Sequence, residues 1–335
     1  MGVATDARAV STGTRAGVAL RGPRARRRRA PRAPASTKVL YAALAGNLCI
    51  AVTKFVAAAW TGSSAMLSEG VHSIADTGNE VLLLYGIRRA DKPPDDAHPL
   101  GHGREIYFWS FIVALMLFAL GAGAALYEGV THLLDPVAAR DPLVIYVVLG
   151  VSAVFEGASW LVALREFRRE KGAFGYLEAM QRSKDPPGFL VLFEDTAALL
   201  GLAIAAVGTV AASATGRPAF DGIASIAIGL LLAGTAALLA IESKGLLIGE
   251  RAHDGLCRSL RRIAEGSAAI RQVDDVFTVH LAPDQIVGAL RVQLAPELRA
   301  ADVERAIAAL VDEARTAHPE LVRLFVTPLP ADAAE

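Results

Sequence analysis

The chain has 335 residues, 53% of them hydrophobic and 20% charged, with 34 basic and 34 acidic side chains and therefore no net charge. So large an apolar fraction, gathered into long runs, excludes an ordinary soluble domain. Two cysteines, Cys49 and Cys257, are too few for a disulfide framework or a cysteine zinc cluster, so any metal chemistry must use imidazoles and carboxylates.

The zero net charge conceals an asymmetry. Residues 1–37 are rich in Ala, Arg, Gly, Pro and Ser, and the first 32 contain one acid, Asp6. This composition predicts a disordered basic tail. Its run of Arg24, Arg26, Arg27, Arg28 and Arg29 is compatible with a nucleic-acid arm or with a positive anchor before a membrane helix. The apolar run that follows favours the anchor and excludes nucleic acid as the expected partner; it is also too long for the core of a cleaved signal peptide.

Six apolar runs come next, over Val39–Trp60, Ala65–Tyr85, Ile106–Tyr127, Leu143–Leu164, Gly188–Ala212 and Asp221–Ile248. Each is long enough to cross ~30 Å of hydrocarbon at ~1.5 Å per residue, and backbone groups in lipid must pair internally, so each is expected to be a helix. The loops set the orientation. Residues 88–104 carry Arg88, Arg89, Lys92 and Arg104, and residues 165–184 carry Arg165, Arg168, Arg169, Lys171, Arg182 and Lys184, whereas the opposite loops hold only Arg140 and Arg217. Both termini are thus expected on the cytoplasmic side of a multi-pass protein of the cell membrane.

Beyond Glu250 the pattern changes. A helix is predicted over 254–265, strands over Val273–Leu281 and Gln285–Leu294 split by Ala282-Pro283-Asp284, a helix over Ala301–Ala317 and a strand over Leu321–Thr327. The expected fold is an all-α six-helix transmembrane bundle over 38–249, plus a small C-terminal α+β domain over 250–335, αββαβ and ferredoxin-like, in the cytoplasm.

Ionisable residues inside membrane helices cost on the order of 2.5–3.5 kcal/mol each on insertion scales, so they are candidates for function. His72 and Asp76 stand four apart in the second helix, on one face. Together they can give a divalent cation two ligands, or they can form a hydrogen bond that ties helices; their depth in the membrane favours the ligands. Asn79 and Glu80 extend the stripe. Glu194 and Asp195 interrupt the fifth apolar run, and two acids there argue for a cation. Between the second and third helices, Asp95, His98 and His102 fall within eight residues, a density of ligands that suits zinc or its neighbours.

The stretches Gly62-Ser63-Ser64-Ala65-Met66-Leu67-Ser68-Glu69-Gly70-Val71-His72-Ser73-Ile74-Ala75-Asp76 and His98-Pro99-Leu100-Gly101-His102-Gly103-Arg104-Glu105 resemble the cation diffusion facilitator family. Asn47, Lys54 and Gly249-Glu250 fit it too, and the resemblance covers about 38–330. It implies a transport site with two ligands from the second helix, matched by His72 and Asp76, and two from the fifth. Asp195 matches the second of these, while Val191 stands where the first is commonly His, so Glu194 or water is expected to complete the shell. The resemblance also implies a loop metal site at Asp95, His98 and His102. The tail has Arg291, Val326 and Pro328 where metal-loaded relatives carry ligands, with only Asp274 and His280 nearby. A homodimerising tail without a full metal cluster follows. Phe193-Glu194-Asp195 and the long basic loop resemble the branch that includes the ninth human zinc transporter.

The function implied is a secondary transporter that exports divalent metal from the cytoplasm by proton antiport. Zn2+ is the first expected cargo, with Mn2+, Fe2+ and Co2+ as further ones, and no cofactor is expected. The expected partners are metal ions, protons, the lipid bilayer and a second copy of the chain. No His-Glu-x-x-His or similar motif occurs, so an intramembrane enzyme is not expected. The alternative is a membrane regulator or sensor that binds metal without moving it.

Overall fold

A computed structural model describes residues 35–61, 64–136 and 142–330, with the side chains of 35–36, 61, 64–69, 71–72, 142, 144 and 170 outside the description. The basic tail lies, up to residue 34, outside the described residues. The bundle begins with α1 (Ala35–Thr61) and α2 (Ser64–Ala90). One continuous helix follows, made of α3 (Glu105–Met116), a π-helical segment (Leu117–Ala122) and α4 (Gly123–Leu134). Next come α5 (Pro142–Lys171), the short α6 (Tyr176–Arg182), α7 (Pro186–Thr215) and α8 (Ala219–Ile248).

Five of the long helices are apolar enough to cross a membrane by length and composition. The sixth, α2, falls short of them because it carries Glu69, His72, Asp76, Asn79 and Glu80. It nevertheless packs against α1 and α3, inside the bundle rather than beside it. The outward faces stay apolar: Trp60, Val207 and Ile241 are among the exposed large side chains, as expected of a surface solvated by lipid. The protein is a multi-pass integral membrane protein.

Inside the bundle, Leu40, Leu83, Tyr107, Val113, Phe189, Leu190, Leu239 and Met180 form the apolar core, so α6, though short, is anchored by Met180. Small residues allow the closest approaches. A Cβ built on Gly129 of α4 would lie 2.7 Å from the Ile226 backbone nitrogen of α8, and one on Gly222 of α8 would lie 3.0 Å from the Gly129 carbonyl oxygen. Two glycines back to back let these helices touch through their backbones.

The polar C-terminal part folds as α9 (Asp254–Glu265), β1 (Ile270–Ala282), β2 (Gln285–Leu294), α10 (Ala300–Ala317) and β3 (Leu321–Leu329). His253 caps α9 by accepting the Leu256 N–H on Nδ1 at 3.0 Å. The sheet order is β1-β2-β3, with β1 and β2 an antiparallel hairpin and β3 parallel to β2. A parallel neighbour needs a crossover, and α10 provides it. Leu256, Leu260, Val276, Leu290, Leu310 and Leu321 fill the core between the helices and the sheet.

The domain seats against the bundle at the hairpin end. Gly103, before α3, lies so close to the sheet that a Cβ there would stand 2.8 Å from the Leu281 carbonyl oxygen. The His280 N–H donates to the Glu250 carbonyl at 3.0 Å, and the Glu250 carboxylate pairs with Lys184. Gly249 turns the chain out of α8 at φ 118°.

Candidate metal sites

Two groups of candidate ligands occur, one in the loop between α2 and α3 and one inside the bundle. The loop group is local. The Asp95 carboxylate accepts the His98 backbone N–H on Oδ1 at 2.6 Å, and the His98 carbonyl accepts the N–H of Asp95 at 3.2 Å and that of Gly101 at 2.9 Å. Gly101, at φ 88°, reverses the chain so that His102 returns over His98, with ring centroids 4.2 Å apart. The second carboxylate oxygen then lies 3.0 Å from His102 Nε2, and the first 3.2 Å from His98 Nδ1.

One ligand atom from each of Asp95, His98 and His102 lies within 4.8 Å of the others. Two imidazoles and a carboxylate this close need only small side-chain movements to reach a common zinc at ~2.0–2.2 Å. His102 is buried and the other two are exposed, so the group is anchored on one side and open on the other. The Asp95 carboxyl titrates at about 2, held down by the His102 hydrogen bond first and then by the His98 backbone N–H. It is therefore already in the anionic form that a metal requires.

The second group is assembled from distant parts of the chain. Asp76 and Glu80 come from α2, Glu156 from α5, and Glu194 and Asp195 from α7. Glu194 feels the charges of Glu80, Asp76, Asp195 and Glu156, and Glu156 those of Asp195 and Asp76. Asp195 is 4% exposed and accepts the Ser159 hydroxyl of α5 at 2.8 Å. Glu80 is 2% exposed and accepts the Asn47 amide of α1 at 2.7 Å. Its other oxygen, and Asn79 Oδ1, are buried without a hydrogen-bond partner.

The predicted residues thus divide. Asp95, His98 and His102 converge. Asp76, Glu194 and Asp195 share one electrostatic neighbourhood but, among the described residues, do not close to metal-ligand spacing. Mutual repulsion between carboxylates gives a physical reason for that separation. His72 lies one turn before Asp76 on α2, and its side chain is outside the described residues. Val191, one turn before Asp195, is 1% exposed and packs in the apolar core. Sequence reasoning missed Glu156; its signal was a lone acid in the middle of the fourth apolar run.

The cation efflux transmembrane domain matches residues 40–248. The proton-coupled zinc antiporter SLC30A9, mitochondrial, of Homo sapiens is 36% identical over 246 residues, covering 73% of this chain and 43% of that protein. Metal tolerance protein C4 of Arabidopsis thaliana is 39% identical over 198 residues, 58% of this chain and 43% of that one. Magnetosome protein MamB of Paramagnetospirillum magneticum is 25% identical over 301 residues, 89% of this chain and 96% of that one. The chain spans less than half the length of the first two of these relatives. The family match covers most of the bundle, including α2 and α7, and on that ground the chain belongs to the cation efflux, or cation diffusion facilitator, family.

Proposed function

We propose that the chain exports divalent metal, zinc first, from the cytoplasm in exchange for protons. The observation that carries this reading is the set of carboxylates from α2, α5 and α7 in the bundle interior, in a family whose relative is named a proton-coupled zinc antiporter. Asp76, Asp195 and His72 are the core of the transport site, and Glu194 or water completes it. These groups bind metal only when deprotonated, so binding releases protons, and protons arriving from the far side expel the metal. The bundle then rocks between inward and outward openings around a fixed site. Asp95, His98 and His102 gather the ion at the cytoplasmic mouth. With carboxylates outnumbering imidazoles, the site also accepts Mn2+, Fe2+ and Co2+.

The positive loops support both termini on the cytoplasmic side of the cell membrane. A homodimer is supported by the outer face of the sheet, where Phe277 and Phe325 align across Ala289 and are 51% and 52% exposed. A second reading, a sensor that binds metal without moving it, draws on Val191, which fills with an aliphatic side chain the place of a fourth ligand.

The test is zinc flux in proteoliposomes. Asp76→Ala is expected to lower flux by about 100-fold or more while the protein still inserts, because it removes a charged ligand and little packing. Flux at the wild-type rate from the Asp76→Ala protein contradicts the assignment.

A further inference from the structure

The interior carboxylates pose a charge problem. Asp76, Glu80, Glu156, Glu194 and Asp195 act on one another, and accumulated negative charge in a medium of low dielectric is costly. A bound divalent ion neutralises two charges, but the carrier must also return without it. Among the described residues, Lys54 is a basic side chain whose charge acts on this group.

Lys54 sits within the first span, Thr37–Trp60, where a lysine is expensive unless it is paired. Its ammonium donates to the Ser73 hydroxyl at 2.9 Å. Ser73 is 3% exposed and lies on α2, next to His72 and one turn before Asp76 and Thr77. The same ammonium exerts its charge on Glu156 of α5. One positive group on α1 therefore reaches both α2 and α5, two of the three helices that carry the carboxylates.

We propose that Lys54 is a tethered counter-ion that competes with the transported metal for the interior carboxylates. The proposal rests on the reading of Asp76 and Asp195 as transport ligands. An ammonium has three N–H donors and no lone pair, so it cannot ligate a metal; it can only occupy the place of one electrostatically. A divalent ion that enters meets this positive charge, tethered to Ser73 one turn from Asp76, and binds against its repulsion. When the metal leaves, the ammonium, together with the arriving protons, keeps the site from holding a cluster of unbalanced negative charge. Lys54 on this account weakens equilibrium affinity and speeds release, which is what a carrier, unlike a storage site, requires.

The experiment measures zinc affinity of the full-length protein in detergent by competition with a chelating dye. The background is His98→Ala/His102→Ala, so that the loop does not contribute. Lys54→Gln keeps a donor for Ser73 and removes the charge. It is expected to bind zinc on the order of tenfold tighter and to show at least a threefold lower maximal flux in proteoliposomes. Lys54→Arg keeps the charge and should stay near the background affinity. Lys54→Met removes the charge and the bond to Ser73 together and should tighten zinc binding as Lys54→Gln does. Unchanged or weaker binding by a well-folded Lys54→Gln protein overturns the proposal. If that variant does not fold, unchanged or weaker binding by Lys54→Met overturns it instead. Asp76→Ala in the same background separates the two readings. If it binds zinc like the background protein, the transport-site assignment fails and this inference with it; if it loses binding while Lys54→Gln matches the background, this inference alone fails.

Discussion

The loop triad and the interior carboxylates are built from the same kinds of ligand in opposite ways. In the loop, a glycine turn and two backbone hydrogen bonds bring one carboxylate and two imidazoles together within eight residues. In the bundle, five carboxylates arrive on three helices, with hydrogen bonds from Ser159 to Asp195 and from Asn47 to Glu80. The loop group is compact and open to solvent on one side, as the proposed capture of metal requires. The interior groups stand farther apart, and the proposed function requires a site there that binds a cation and then lets it go.

That contrast can be sharpened by breaking each side separately. Changing His98 and His102 together to Ala should raise the half-saturating zinc concentration by roughly tenfold while leaving the maximal flux within about twofold, because the loop lies outside the membrane path. A fall in maximal flux with unchanged half-saturation would make the loop part of the carrier's moving machinery and erase the distinction.

A smaller effect is expected beneath the loop, where the hairpin meets Gly103. Burial, the leading cause, holds the His280 imidazole below its ordinary value of 6.5, against the opposing pull of the Ala282 carbonyl. Such a group binds protons more readily when the contact opens, so the seated state is fully stable above about 6.5 and loses stability as the pH falls below it. Lys184, Glu250 and His253 are the charged neighbours that also act on it. Hydrogen exchange over 277–282, corrected for intrinsic rates, should speed up between about pH 7.5 and about pH 5.5. His280→Asn should remove the difference, and a wild-type pattern in that variant would assign the change to another group.

How far the sequence reached follows from whether each feature is local. The convergence of Asp95, His98 and His102 was legible because the three candidate ligands and their turn are contiguous. Helix α9 was legible to its ends because the apolar stripe Leu256, Cys257, Leu260, Ala264 starts just after the His253 cap. Hydropathy gave the spans but not their full lengths: α5 continues past Leu164 to Lys171 because Arg165, Arg168 and Arg169 are good helix formers that leave the membrane without ending the helix. Strand β1 begins at Ile270, ahead of the predicted Val273, since Arg271 and Gln272 carry no apolar alternation, yet Ile270 pairs with Leu294 and Gln272 with Gln293 around an irregularity at Arg271. The interior candidates were legible only where two of them share a helix. His72 and Asp76 announce themselves by spacing, and Glu194 and Asp195 by adjacency. Glu156 has no partner in its own helix, and the Asn47–Glu80 bond joins residues 33 apart in sequence. No periodicity encodes either; they appear only when the helices are packed.

The measurement that bears most directly on the central reading is zinc movement into sealed proteoliposomes that contain the wild-type chain, with an imposed pH difference and internal dyes for zinc and for pH. Export in exchange for protons predicts that zinc enters faster when the lumen is acidic, that the lumen becomes more alkaline as it does so, and that collapsing the pH difference stops both. Zinc that binds the protein tightly but does not enter the vesicles under any pH difference would contradict the account and leave a sensor in place of a carrier.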